Sequence, residues 1–338
     1  METQFSTSEL KFFTSLFYHR IDIRFTPVED ITLKYWPGSI IRNNLLYMAR
    51  DIEVENDISL FNAINTIPIE ELHPYYKELS GGFPKGYSLL NVQFGGSTEQ
   101  SISLHKDGIY SFSVCLIGAM SRYYASFIEA IKKMCARGIG TPMVSLNLID
   151  VSETHPFHAS RLLWFNGTET INELKLPIRF DDFVQQPALK NKIRIQLITP
   201  LNLVQSREKK NKEISFQDKQ NGFPGFYQFM RSVIYRLVKL NALYCEKDYD
   251  LFKAENMSDL EKWIQSAANP ILDSVNIRKI SVVSTPKKEN DSIMKFHGYV
   301  GEMSYYGDFS EFIPLLLFAR GLNVGNDVTY GLGEYRIK

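Results

Sequence analysis

At 338 residues the chain has room for two domains of ordinary size, and its 44% hydrophobic content is enough for two packed cores. Its 38 Lys and Arg residues equal its 38 Asp and Glu residues, so a globally basic surface is excluded and any nucleic-acid contact must be a local patch. The three cysteines, Cys115, Cys135 and Cys245, are widely spaced within apolar patterns and read as reduced packing residues; no CxxC pair points to structural zinc. Met1 to Ser8 lack a signal-peptide pattern and no apolar run reaches membrane-spanning length, so the expectation is a cytoplasmic protein with no membrane partner.

In the first half, Phe13, Leu16, Ile21, Ile23 and Phe25 predict a strand over 12–25. Trp36-Pro37-Gly38-Ser39 breaks the chain, after which Ile41, Leu45 and Met48 recur at helical spacing. The stretch 51–85, with Pro68, Pro74, Pro84 and the pair Gly81-Gly82, reads as a loop-rich insertion. Strands are expected over 87–94 and 109–117. An amphipathic helix follows, with Tyr124, Phe127, Ile128, Ile131 and Met134 on one face and Glu129, Lys132 and Lys133 on the other. A strand over 143–151 completes the order β-α-β-β-α-β, a ferredoxin-like module spanning 1–155.

Between His155 and Pro187 the pattern weakens, which places the domain boundary there. The second module, 186–338, begins with a strand over 192–203 that alternates Ile193, Ile195 and Leu197 with Arg194 and Gln196. A charged stretch containing Arg207, Lys209, Lys210 and Lys212 reads as a solvated loop. The strongest helical pattern of the chain comes next, on Phe226, Phe229, Met230, Val233, Leu237, Leu240 and Tyr244. Strands over 278–284 and 293–305 flank a hairpin loop, and a helix carrying Phe312, Leu315, Leu316 and Ala319 leads into Gly321, Gly325, Gly331 and Gly333 before a terminal strand. The order is again β-α-β-β-α-β, so the fold class is α+β with tandem ferredoxin-like modules and a glycine-rich loop before the last strand. Those glycines suit either a backbone cradle for an anion or a helix cap followed by a tight turn.

Four stretches, 33–42, 112–118 with Gly138 and Gly140, 195–201, and 296–302 running on through Gly325 to Gly333, resemble in their order the Cas6 family of CRISPR precursor-crRNA endoribonucleases, within the RAMP superfamily. The resemblance implies that CRISPR repeat RNA is the partner, beside other Cas proteins, that no cofactor or metal is needed, and that the protein acts as a monomer or homodimer. It also implies cleavage by attack of a 2′-hydroxyl on the adjacent phosphate. An RNA-holding RAMP subunit without cleavage is the alternative, and a ferredoxin-like protein whose glycines serve only as turns is a third reading.

Many members of the family carry a catalytic histidine in or near the first helix. Here that helix offers Arg42, Asn43, Asn44 and Tyr47 instead. Arg42 suits stabilisation of a phosphorane but not proton transfer, because its pKa is far above neutral; a surface or interdomain charge is its other reading. Tyr47 suits orientation of a hydroxyl, with core packing as its other reading. Of the six histidines, His297, beside Gly298 of the matched stretch, is the candidate proton carrier, with an ordinary strand histidine as its other reading. His155 and His158 form the one pair with a faint zinc-like spacing. For RNA the candidates are Lys34, Lys279 and Lys295, Lys287 and Lys288 at the hairpin tip, and the loop residues Gly321, Gly325, Asn326, Gly331 and Gly333.

Overall fold

A computed structural model describes residues 12–65, 83–94, 101–184, 191–203, 225–246, 254–267, 269–286 and 293–338. The first strand, β1 (Phe17–Pro27), is followed by β2 (Ile31–Leu33) and helix α1 (Pro37–Met48). Pro37 starts that helix at a position where its missing N–H costs nothing. A small hairpin, β3 (Glu53–Glu55) and β4 (Ile58–Ser59), and the short helix α2 (Leu60–Asn65) occupy the described part of the expected insertion. Then come β5 (Tyr87–Leu90), β6 (Ile102–Leu104), β7 (Tyr110–Ile117), helix α3 (Tyr124–Arg137) and β8 (Leu146–His155). The α3 face predicted from periodicity is the buried one, with Phe127, Ile128, Ile131 and Met134 in the core.

The antiparallel sheet runs β5-β7-β1-β8, the order in which a ferredoxin-like module places its second, third, first and fourth strands. Two features differ from the sequence reading. Phe12, Phe13 and Leu16 precede the strand and pack instead into the core of the second half. The N-terminal sheet also continues past residue 155: β9 (His158–Phe165) pairs with β8, and β10 (Ile178–Arg179) pairs with the start of β1 before helix α4 (Asp181–Val184). Strand β9 lacks clean alternation because it is an edge strand with Leu162 and Phe165 exposed.

In the second half, β11 (Lys192–Leu201) leads to helix α5 (Phe226–Tyr244), whose predicted stripe is buried. Helix α6 (Ala254–Ser266), not expected from the sequence, packs Leu260, Trp263 and Ile264 into the same core, and its Glu261 accepts from Arg231 and Tyr235 of α5. Strands β12 (Ile271–Val283) and β13 (Lys295–Tyr306), helix α7 (Ile313–Ala319) and β14 (Tyr335–Ile337) complete the module. Its sheet, β12-β13-β11-β14, repeats the first module's strand order. The charged stretch 207–213 and the hairpin tip with Lys287 and Lys288 lie outside the described residues.

The two halves do not keep separate cores. Tyr18, Cys115, Ile117, Phe180 and Phe183 are buried with α5 and α7, while Ile280, Val282, Phe296, Val300, Tyr330 and Leu332 are buried with α1 and α3. The loop between α7 and β14 is where these exchanges meet. Gly333 sits at φ +75°, and an added Cβ would fall 1.7 Å from the carbonyl oxygen of Val324. Replacing Gly333 by Ala is therefore expected to destabilise the protein by about 2–4 kcal/mol, combining left-handed backbone with overpacking. Urea unfolding checks this, and an unchanged midpoint would show that the loop yields freely.

Candidate functional site

Helix α1 meets the glycine-rich loop through a chain of buried contacts. The indole Nε1 of Trp36 donates to the carbonyl of Tyr330 at 2.6 Å, and a Cβ on Gly38 would stand 1.9 Å from that same oxygen, so only glycine permits this approach. One turn further along, the half-buried Arg42 donates through Nε to Thr329 Oγ1 at 3.2 Å and through Nη1 to Asn43 Oδ1 at 3.4 Å. Its guanidinium carbon lies 4.3 Å from the centre of the Tyr330 ring. Asn43 and Ser39 tie the helix to Thr285 at the exit of β12, at 3.1 and 3.2 Å. The hydroxyl of Tyr87 is fully buried against Arg42 and Thr329 without a hydrogen bond of normal geometry, and burial raises its pKa although Arg42 opposes the shift.

Arg42 has no carboxylate within salt-bridge distance among the described residues. Burial pushes the Asp327 carboxyl up, with Arg42 acting against it. A second cation, Lys85, enters the same neighbourhood: its ammonium donates to the Asn65 carbonyl at 2.7 Å, and its pKa is lowered by burial and then by Arg42. In the sequence Lys85 closes the expected insertion 51–85. The signal available was its place between Pro84 and Gly86, directly before a buried strand.

The remaining predicted residues go elsewhere. Tyr47 projects from the far end of α1 into solvent, 49% exposed, with the Arg137 guanidinium 4.0 Å from its ring centre, so its core reading does not hold. His297 is exposed on β13, with Nδ1 2.9 Å from Ser281 Oγ of β12. Strand alternation turns its neighbour Phe296 towards Tyr330, at 4.8 Å between ring centres, and so turns His297 to the opposite face of the sheet from Arg42. Lys279 and Lys295 are exposed on that outer face with His297, since Lys279 pairs with Tyr299 and Lys295 with Val283. Lys34 is exposed between β2 and α1.

Four of the predicted loop residues have their N–H groups engaged. Gly321 donates to Phe318, Asn326 to Asn202, Gly331 to Val328 and Gly333 to Pro200, all to backbone carbonyls at 2.9–3.2 Å. Those four donors could cradle a phosphate only by breaking these bonds. Gly325 is half-buried with φ +86°, next to the Asn202 carbonyl. The glycines thus act mainly as close-packing and turn residues.

The other histidines form separate arrangements. His19 Nδ1 lies 2.7 Å from Glu153 Oε1 in a buried pair that also accepts the N–H groups of Lys175 and Leu176. His155 accepts the Phe157 N–H at Nδ1, faces Asp182 at 3.4 Å through Nε2, and stacks on His158 at 4.4 Å. No group of three His, Cys, Asp or Glu side chains suited to a metal occurs among the described residues. His73 lies outside them.

Two ferredoxin-like sheets with a shared core and a glycine-rich loop before the last strand define a tandem ferredoxin-like α+β fold. Residues 195–335 match the family described as CRISPR-associated endoribonuclease Cas6. The whole chain has the fold of solved Cas6 structures. The Thermus thermophilus Cas6 TTHB231, in a product complex, aligns with a TM-score of 0.51 at 12% identity, covering 95% of this chain and 100% of its own. The Cas6 TTHA0078 product complex aligns with a TM-score of 0.51 at 12% identity, covering 95% of this chain and 99% of its own. A chain of a partial Cas6-RT-Cas1–Cas2 complex aligns with a TM-score of 0.55 at 9% identity, covering 97% of this chain but 47% of that longer one. No curated protein sequence matches. The family match covers the C-terminal module, and the solved Cas6 structures share the fold across both modules. Among the described residues no helix is long and apolar enough to cross a membrane.

Glu334 supplies a pH test of the module junction. Its carboxylate is buried, accepts the Asn91 N–H at 2.9 Å, and its pKa is raised from the ordinary 4.5 chiefly by burial. A raised folded-state value contributes stability that is fully present below pH 4.5 and is lost as pH rises through the shifted value. The difference in melting temperature between the wild type and Glu334→Gln should therefore move against the wild type as pH rises above about 4.5. A constant difference across that range would contradict the shift.

Proposed function

We propose that this chain binds CRISPR repeat RNA and cuts it to release crRNA, with the cut phosphate seated at the junction of α1 and the glycine-rich loop. In this reaction the RNA's 2′-oxygen forms a bond to phosphorus and the 5′-oxygen departs. The 2′-hydroxyl gives up a proton to a base and the leaving oxygen gains one, so a 2′,3′-cyclic phosphate and a 5′-hydroxyl result without a metal. The observation that carries the reading is Arg42: a cation held by Thr329 and the Tyr330 ring, with no carboxylate at salt-bridge distance among the described residues. Such a group offsets the charge that accumulates on the phosphorane and needs little reorganisation to do so. Exposed Lys34, Lys279 and Lys295, with Lys287 and Lys288 beyond the described residues, supply phosphate contacts along the RNA. Other Cas proteins complete the proposed assembly in the cytoplasm, with this chain as monomer or homodimer.

A second reading, an RNA-holding subunit that does not cut, is favoured by one observation. No described histidine reaches Arg42, because His19, His105, His155, His158 and His297 are all engaged elsewhere.

Incubating the protein with repeat RNA in excess chelator, beside an RNA carrying one 2′-deoxy substitution at the cut, separates the two. The nuclease reading expects a chelator-resistant cut that the deoxy substitution abolishes, and a fall of roughly 10²–10³-fold in single-turnover rate for Arg42→Ala. Salt-sensitive binding without a cut would establish the holding subunit. A loss for His297→Ala as large as that for Arg42→Ala would move proton transfer to the outer hairpin face and end the account centred on Arg42.

A further inference from the structure

We infer that Thr329 and Tyr330 are positioning residues for Arg42, so that the glycine-rich loop acts on the RNA through a seated arginine rather than through its own backbone. The inference rests on the functional reading above. Its first support is the engagement of the loop's N–H groups at Gly321, Asn326, Gly331 and Gly333 by backbone carbonyls. An anion at this loop must be met by something other than those donors. Its second support is the way the seat is built. Thr329 and Tyr330 are 8% and 9% exposed, and the short helical turn 328–330 that carries them is flanked by left-handed residues, Asp327 at φ +59° and Gly331 at φ +73°. That backbone aims the Thr329 hydroxyl at Arg42 Nε and lays the Tyr330 ring beneath the guanidinium, while the Tyr330 carbonyl is pinned by Trp36.

The chemistry of the arrangement is directional. A guanidinium has five N–H donors in a fixed plane, and Thr329 and Asn43 take two of them. With Nε held and the ring face covered by Tyr330, rotation of the fork about its stem is restricted, and the remaining donors keep one orientation. A flexible arginine would bind RNA phosphates about as well in the ground state. An oriented one places its donors where charge develops in the transition state, so its seat affects the chemical step more than binding. The fully buried hydroxyl of Tyr87 lies beside Arg42 and Thr329 and packs the seat from the core side.

The test has two arms, one of which does not depend on cleavage. In the free protein, the Arg42 Nε–H signal, assigned by its disappearance in Arg42→Ala, is expected to exchange slowly with solvent and to be shifted by the Tyr330 ring current. Thr329→Val should remove the protection, and Thr329→Ser should restore it. In the second arm, single-turnover cleavage by Thr329→Val should fall roughly ten-fold or more with RNA affinity within about two-fold, since misplacement of a reacting group acts mainly on the rate. Thr329→Ser should recover most of the loss. The double variant Arg42→Ala/Thr329→Val should cut no more slowly than Arg42→Ala alone, because the second residue acts through the first. Unchanged Nε–H exchange in Thr329→Val, additive losses in the double variant, or an equal fall in affinity and rate would each overturn the inference. A wild-type protein that does not cut at all would instead sink the nuclease reading, and the exchange comparison would then decide whether Thr329 holds Arg42.

Discussion

The last fourteen residues before β14 hold the two modules in one arrangement, and the hydrogen bonds that tie this loop to the first module are the constraint on which the rest depends. Trp36 Nε1 to the Tyr330 carbonyl, Asn323 Nδ2 to the Leu89 carbonyl, and the Asn91 N–H to Glu334 all cross between the halves of the chain at 2.6–2.9 Å. Each joins groups with little access to solvent, and leaving one unmade would cost roughly 1–3 kcal/mol. Arg236 secures the entry to the same segment by donating to the carbonyls of Leu322 and Asn323, although burial lowers its pKa to about 10. With the loop fixed in this way, each module contributes side chains to the other's core. The distance from Arg42 to the loop is consequently a property of the fold and not of a mobile interface.

The glycines of this loop illustrate what a sequence can and cannot disclose. Their clustering before the last strand is legible, and so is the need for unusual backbone there. Their purpose is set by what fills the space around them: Val324 at Gly333, Val92 at Gly331 and Tyr18 at Gly321. Tyr18 and Val92 come from far away in the chain, and Val324 from an earlier part of the same loop. The same holds for helix α1, where periodicity locates Ile41, Leu45 and Met48 in the core but does not say which end meets the loop. Arg42 and Tyr47 are five residues apart on one helix, yet one faces the junction and the other solvent. His297 lies on the expected strand, but a single residue of alternation turns it away from the site that Phe296 approaches.

The element order was legible for a different reason. Both βαββαβ units show up as changes between two-residue and 3.6-residue periodicity, which is a local signal. Strand β9 escaped it because an edge strand with exposed Leu162 and Phe165 has no polar outer row. Helix α6 escaped because Leu260, Trp263 and Ile264 form a short stripe within a polar segment. Chemically, the junction differs from a histidine-based site. A seated arginine stabilises charge but moves no proton at neutral pH, so a catalyst of this kind gains rate from alignment and electrostatics. Slow cutting is compatible with an enzyme whose product is held for later use.

The central claim is that the reacting phosphate lies at the Arg42 end of α1. A structure of the protein with repeat RNA carrying a 2′-deoxy substitution at the cut, which blocks the reaction, tests it directly. The account predicts that the phosphate beside that substitution lies within hydrogen-bonding distance of the Arg42 guanidinium, with Thr329 still accepting from Nε. That phosphate resting instead against His297, Lys279 and Lys295 on the outer face of β12 and β13 would contradict it.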